Sequence, residues 1–333
     1  MSARTYFRFF THSLMLPILE SGEETLVGGQ AVMEGVMMRA PHSYCVAVRR
    51  ANGEFVTEEM PLARMSEQYP IFKYPVFRGV GTLFQAMKLG IKALQFSTNA
   101  AMQDLPQETG KDGKVKELPK ELPGWAMAAN LVLMLGSFLF LYKWLPLYLA
   151  GRLGKLYPAF AGNVANNVAD GVIRIGIFLL FMVLISRMKD IHRVFEYHGA
   201  EHKVVYNFES GRPVTVANAQ SFTTFHPRCG TSFLMLLMIV SLVIYPFVPV
   251  HSFLAKFAIR LALLPVVVGV CYELIRFAAK KPGFFMRVLT APGLWLQRIT
   301  TKPPSDDQAA TAIRALEGAM TLEKAQGGEL VIA

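Results

Sequence analysis

The sequence predicts a mainly α-helical polytopic membrane protein, with four transmembrane helices, an amphipathic interfacial helix and a small β-containing N-terminal segment. Three observations carry that prediction. Of 333 residues, 53% are hydrophobic and only 17% are charged, a balance unusual for a soluble domain. The apolar residues gather in four blocks, each able to cross a hydrocarbon core of roughly 30 Å, which takes about 20 helical residues. Lys and Arg concentrate in alternate connecting segments, the charge asymmetry of a multi-pass chain.

In order, residues 1–68 form an N-terminal cytosolic segment. Its first twenty residues, MSARTYFRFFTHSLMLPILE, have a positive start, but His12 and Pro17 interrupt the apolar patch and no small-residue cleavage site follows; no removable signal peptide is expected. GGQAVMEGVMMR is apolar and punctuated by glycine. SYCVAVRR, ANG and EFVTEE read as two strands about an Asn-Gly turn, a strong hairpin signal. Residues 69–103 hold the amphipathic helix. There Val76, Phe77, Val80, Leu83, Phe84, Met87, Ile91 and Leu94 recur at threes and fours, with Arg78, Gln85, Lys88 and Lys92 opposite. Such a helix lies on the inner membrane surface with anionic lipid as its partner, or packs on the protein's own membrane domain. Residues 104–124 are a polar Pro- and Gly-rich linker.

Residues 125–302 form the membrane domain, with spans at 125–150, 171–188, 231–250 and 253–279 and a cytosolic motif segment at 188–230. Residues 303–333 follow the Pro303-Pro304 break as a C-terminal cytosolic helix, capped by Asp306 or Asp307 and docking through Ile313, Leu316 and Met320. Lys189, Arg193, Lys203, Arg212 and Arg228 put the motif segment in the cytoplasm; Lys280, Lys281, Arg287, Arg298 and Lys302 do the same for the segment after the last span. Residues 151–170 carry only Arg152 and Lys155, and face out, as does the turn at 246–251. Both termini are then cytoplasmic. This pattern accounts for most of the +10 net charge, and with no accompanying motif a nucleic-acid partner is not expected. Cys45, Cys229 and Cys271 form no paired pattern and read as reduced thiols. Lys143, Arg174, Lys256, Arg260, Glu273 and Arg276 sit in or near spans and read as snorkelling side chains. Glu34 is expected to pair with Arg39.

The chemistry concentrates in EYHGAEHKVVYN, residues 196–207. Helical periodicity places Ile191, Val194, Phe195, His198, His202 and Val205 on one face, so the two histidines point the same way and can chelate one ion. Glu201 borders that face. H-x-x-E-H is the inverted zincin pattern, whose glutamate acts as general base toward the water a metal activates. FHPRCGT, residues 225–231, adds His226 and Cys229 two residues apart before a glycine. The expected metal ligands are therefore His198, His202, His226 and Cys229, with Glu201 catalytic. Nitrogen and sulfur donors favour zinc, with iron(II) second. Four ligands make a closed structural site and three leave a position open; the sequence leaves both possible.

GGQAVMEGVMMRAP, YHGAEHKVVYNFE, HPRCGTSF and SDDQ together resemble the YqhQ-like family of bacterial multi-pass membrane proteins, over most of the chain from about Leu26 onward. Met33 stands where the family pattern has Ile, an apolar exchange. The resemblance implies a bacterial inner-membrane protein that depends on a metal, and it supplies no substrate or reaction. YHGAEHK carries over His198, Glu201 and His202; HPRCG carries over His226 and Cys229. Two functions compete. One is a zinc-dependent hydrolase with a cytosol-facing site acting on a membrane peptide or lipid. The other is a non-enzymatic scaffold or assembly factor stabilised by zinc, with a membrane-protein partner. A transporter ranks third, having only four expected spans and no broken helix pair. The Gly-rich motif is expected to fold back over the metal site through Glu34.

Overall fold

A computed structural model describes residues 27–103, 124–248, 250, 252–280 and 283–326. The signal-peptide reading of the first twenty residues, and all but the last residue of the 104–124 linker, lie outside the described residues. Four strands, β1 (Gly28–Val32), β2 (Gly35–Arg39), β3 (Ser43–Arg49) and β4 (Phe55–Pro61), form an antiparallel meander in that order. The expected hairpin is β3–β4, with Arg49 opposite Phe55 and Gly53 at φ +89 in its turn. The Gly-rich motif is a second hairpin, β1–β2, which the sequence reading leaves unassigned. Two causes hide it. Its turn puts Glu34 at φ 52, where Asn or Gly is the usual signal. Its second strand is covered on both sides, so alternation is lost: Val36 and Met38 face one core, Met37 the other.

After a short turn of helix, α1 (Met65–Gln68), comes α2 (Phe77–Gln103). Its buried face is made of small residues, among them Gly79, Gly90, Ala93, Ser97 and Ala100, with Leu89, Ala93 and Ala100 against the sheet. Near its start, a methyl group on Gly79 would lie 2.6 Å from Tyr272 Cβ, so this helix packs on the protein's own apolar helices. Phe77, Phe84, Met87, Ile91 and Leu94 stay exposed. Two residues of the expected polar face are engaged: Arg78 Nε donates to Glu273 Oε1 at 2.6 Å, and Gln85 Nε2 donates to the Ala63 carbonyl at 2.8 Å. Glu273 is thus half of an ion pair, not a snorkelling group.

The remaining helices are α3 (Gly124–Leu139), continued through a π-type turn at Phe140–Trp144 into α4 (Leu145–Leu156), then α5 (Asn163–Ile185), α6 (Lys189–Glu209), α7 (Val216–Gln220), α8 (Gly230–Ile244), α9 (Phe253–Ala262), α10 (Leu264–Lys280), α11 (Phe284–Thr300) and α12 (Asp306–Ala325). Among the described residues, Val132–Leu156, Asn163–Ile185 and Gly230–Phe247 are long and apolar enough to cross a membrane; α9 and α10, bent by 45° at their junction, qualify together as a fourth. A broken helix pair therefore exists, contrary to expectation. The expected outward loop at 151–170 shrinks to 157–162, because α5 begins at Asn163. Its amides find partners in the helical frame: Asn166 Nδ2 donates to the Ala150 carbonyl at 2.7 Å and Asn167 Nδ2 to the Asn163 carbonyl at 2.8 Å. Helix α11 is also unexpected, since Pro292 lies inside it and proline usually ends a helical pattern.

Helices α6 and α12 cover the sheet face opposite α2. Tyr197, Ala200, Val204, Ala312, Ile313, Leu316 and Ala319 pack with Val36, Met38, Cys45 and Ala47. Burial pushes the Cys45 thiol up to about 12, which leaves it inert. Ser305, rather than Asp306 or Asp307, caps α12 through a reciprocal box with Gln308. At the other end, buried Glu323 accepts from the His42 backbone N–H at 2.8 Å and from Ser43 Oγ at 2.8 Å. The His42 ring bridges Glu323 and Glu67, each at 3.0 Å. Burial opposes the charged ring, but the Glu67 and Glu323 hydrogen bonds outweigh it and raise its pKa. The stability from this bridge is fully present below the unfolded histidine pKa of about 6.5 and is lost as pH rises through the higher folded value. We expect the Tm to fall between pH 6 and pH 8.5, and His42→Gln to flatten that dependence; an unchanged profile in the variant would refute the assignment.

Candidate metal centre

Helix α6 puts His198 and His202 one turn apart, with ring centroids separated by 4.4 Å. Cys229, the N-cap residue of α8, meets them: His198 Nε2 lies 3.1 Å from Cys229 Sγ. One donor atom from each of the three residues falls within 4.8 Å of the others. In tetrahedral zinc sites, bond lengths of about 2.0–2.3 Å separate ligand atoms by roughly 3.3–3.7 Å, so the cluster is near the spacing that one ion requires. The outer nitrogens fix the rings. His198 Nδ1 donates to the Thr300 carbonyl at 2.8 Å, and His202 Nδ1 donates to the Thr224 carbonyl. A carbonyl only accepts, so each neutral ring carries its proton on Nδ1 and presents a bare Nε2 lone pair to the cluster. Burial holds the His202 pKa down and keeps the ring neutral.

The local sequence suits this closeness. Gly199 has no room for a methyl group, because the Lys302 carbonyl oxygen occupies that position. Lys302 N–H in turn donates to the Phe195 carbonyl at 2.9 Å. The chain leaving α11 therefore crosses α6 over Gly199 and delivers the Thr300 carbonyl to His198. On the other side, Lys203 Nζ donates to the Gln220 and Phe222 carbonyls, both at 2.7 Å, which fastens the loop that delivers Thr224. Gln297 of α11 is fully buried. It accepts from the His226 N–H at 2.8 Å and donates to the His226 carbonyl at 2.7 Å and to Ser232 Oγ at 2.7 Å. Sequence reasoning misses Gln297, Thr224 and Thr300, because their roles exist only through long-range contacts.

His226 is close by but is not one of the three convergent donors. Its Nδ1 accepts from the Arg228 backbone N–H at 3.3 Å, which leaves the proton on Nε2, 3.5 Å from Glu209 Oε2. The ring lies edge-on to Tyr206, with centroids 4.5 Å apart. Burial raises the Glu209 pKa, but His226 and the paired Arg228 guanidinium outweigh it, and the carboxyl ends below its ordinary value.

Glu201 sits beside the donors, with Oε2 3.4 Å from His202 Nε2. Burial pushes its carboxyl up, against the pull of His198, His226 and the Gly29 backbone N–H. Strand β1 closes over it, since a methyl group on Gly29 would lie 2.6 Å from Glu201 Cγ. The Gly-rich motif thus reaches the site through Gly29 and not through Glu34. Glu34 instead accepts from Arg193 Nη2 at 2.6 Å and from the Tyr197 hydroxyl at 3.3 Å, where Arg39 had been expected as its partner.

A family model described as a protein of unknown function, DUF1385, matches residues 74–322. The chain belongs to the DUF1385 family. The uncharacterised protein YqhQ of Bacillus subtilis (strain 168) is 35% identical over 303 residues, covering 89% of this chain and 92% of YqhQ. No solved structure matches the chain. The DUF1385 match spans α2 to α12 and contains His198, Glu201, His202 and Cys229, while the sheet that supplies Gly29 precedes it.

Alanine at Gly199 must displace the backbone at Lys302, because a carbonyl, not a flexible side chain, blocks it. We expect Gly199→Ala to destabilise by about 1–3 kcal/mol, measured as a lowered Tm. Gly230→Ala, which meets open space, should leave the Tm unchanged.

Proposed function

We propose that His198, His202 and Cys229 hold a zinc ion, with iron(II) as second choice, and that the centre is a hydrolase acting on a membrane peptide or lipid. One observation carries this reading. Two imidazoles locked by backbone carbonyls aim bare nitrogens at one thiol, and a carboxylate stands next to them outside the donor set. A nitrogen and sulfur donor set suits zinc. When bound, zinc supplies a Lewis acid toward a carbonyl or phosphoryl oxygen. The chain's own part falls to Glu201: burial raises its pKa, the direction that suits a group taking and returning a proton, and the Gly29 N–H holds it in place.

The placement of the site supports a membrane substrate. The centre lies where α5 ends and α8 begins, and the Lys and Arg of residues 189–228 and 280–302 favour the cytoplasmic side of a bacterial inner membrane, with both termini inside. On this reading the bent pair α9–α10 is the fourth span. The exposed Phe77, Phe84, Met87, Ile91 and Leu94 of α2 fit contact with lipid.

A second reading, a zinc clip in a membrane scaffold or assembly factor, has its own support. His202 is only 1% exposed and Cys229 6%, and their partners join α6, α8 and α11. Elemental analysis of detergent-purified protein separates these outcomes. We expect stoichiometric zinc in the wild type, retained in His226→Ala and lost in His202→Ala; metal-free wild-type protein would overturn both readings. Under the hydrolase reading, Glu201→Gln keeps zinc and the wild-type Tm but fails to complement a deletion strain. If that variant complements fully while Cys229→Ser loses both metal and thermal stability, the clip is the function.

A further inference from the structure

A second polar cluster lies at the far end of α8 from Cys229. Tyr245 follows Cys229 by sixteen positions, about 24 Å along a helix. Tyr245 is 1% exposed, and three cations surround its ring: Lys143 Nζ is 5.5 Å from the centroid, Arg174 Cζ 5.3 Å and Arg260 Cζ 4.9 Å. All three cations are at most 6% exposed. They are not snorkelling. Lys143 is the twelfth residue of Val132–Leu156 and Arg174 the twelfth of Asn163–Ile185, spans of 25 and 23 residues, so both sit at mid-span, and burial shows that they turn into the protein.

The charges do not balance. Asp170, 0% exposed, pairs with Arg174 and lies 2.9 Å from Arg260 Nη1. Lys143 has a tyrosine hydroxyl as its hydrogen-bond partner, at 3.2 Å. Among the described residues, three cations against one carboxylate leave two positive charges over, and half-buried Lys256, with Nζ 3.4 Å from Asn166 Oδ1, adds another at the edge. Among the described residues, Arg174 Nε has no hydrogen-bond acceptor, and Arg260, whose Nη2 donates to Asn167 Oδ1 at 2.5 Å, meets Asp170 through Nη1 as an ion pair out of hydrogen-bond alignment. Uncompensated charge and unfilled donors in a dry interior are strongly unfavourable. The π-type turn at Phe140–Trp144 that carries Lys143 is the kind of helix irregularity often found at functional sites.

We propose that this cluster binds a phosphate group inside the membrane domain, with Lys143, Arg174 and Arg260 as its ligands. Guanidinium forks match phosphate oxygens in pairs, and the lysine supplies a point charge. A phosphate dianion cancels the surplus of two, where a carboxylate would leave one charge over. The phosphate belongs either to a phosphomonoester lipid headgroup or to free inorganic phosphate, and the assignment does not rest on the metal centre.

The test uses the full chain in detergent, with Tm as the readout. Inorganic phosphate is compared with chloride at equal ionic strength, and short-chain phosphatidic acid with the matching diacylglycerol. We expect a rise of a few degrees with at least one phosphate compound. A rise with inorganic phosphate identifies the free anion; a rise with phosphatidic acid alone identifies the headgroup. Lys143→Met, which removes a charge but no ion pair, should weaken the response about tenfold in concentration, and Arg260→Lys should do so if the first variant does not fold. A site already filled on purification shows as stoichiometric phosphorus in the wild type, lost in these variants. The proposal fails if the wild type holds no phosphorus and responds to neither compound, or if the variants respond as the wild type does.

Discussion

The structure turns on two hydrogen bonds, from His198 Nδ1 to the Thr300 carbonyl and from His202 Nδ1 to the Thr224 carbonyl. They set the ring tautomers and, in the same step, fasten two remote stretches of chain to α6. One stretch leaves α11, the other leads into α8. With Ala200 and Val204 packed on the sheet, α6 has almost no free surface at this turn. Every residue of HGAEH is spoken for. His198 and His202 present nitrogen, Gly199 admits the Lys302 carbonyl, Ala200 meets the sheet, and Glu201 meets Gly29.

A buried carboxyl beside two imidazoles needs its own support, because desolvation disfavours its charge. The support comes from β1, outside the stretch that matches the family model. Gly29 fills two needs there: its N–H faces the carboxylate, and its missing side chain allows the approach. The sheet therefore acts as a wall of the site and not as an appendage. Strand β1 would otherwise be an open edge strand, a liability for any sheet; Gly90 of α2 lies so close to Gln30 that a methyl group would come within 2.6 Å of its amide oxygen.

How much of this the sequence reveals depends on the range of each contact. The shared face of His198 and His202 follows from helical period, and the β3–β4 hairpin from its Asn-Gly turn. Cys229 is legible as a knuckle before Gly230. His226 has the same motif-level credentials, yet a local bond from the Arg228 N–H occupies the lone pair of its Nδ1. Lys143, Arg174 and Arg260 look like snorkelling groups because a one-dimensional reading measures distance to a membrane edge, not direction. The clue available was Asp170 four residues before Arg174, a spacing that pairs charges on one helix face.

The two polar centres cannot influence each other appreciably by charge. For unit charges about 24 Å apart, at an effective dielectric constant of about 20, the interaction is about 0.7 kcal/mol. Contact is the stronger candidate for any communication, and a continuous series of tight contacts joins them. Arg260 lies just before the bend between α9 and α10. Beyond the bend, Gly269 abuts Val76 and Tyr272 abuts Gly79; α2 then carries Gly90 against Gln30, whose neighbour Gly29 abuts Glu201. Val76 adopts φ 68 at the first of these contacts, a costly conformation for a β-branched residue. None of the glycines in the series has room for a methyl group. Backbone atoms obstruct Gly269 and Gly29, whereas Gly90 meets only the tip of the Gln30 side chain, so the series is stiff at its two ends and yields most easily between α2 and β1.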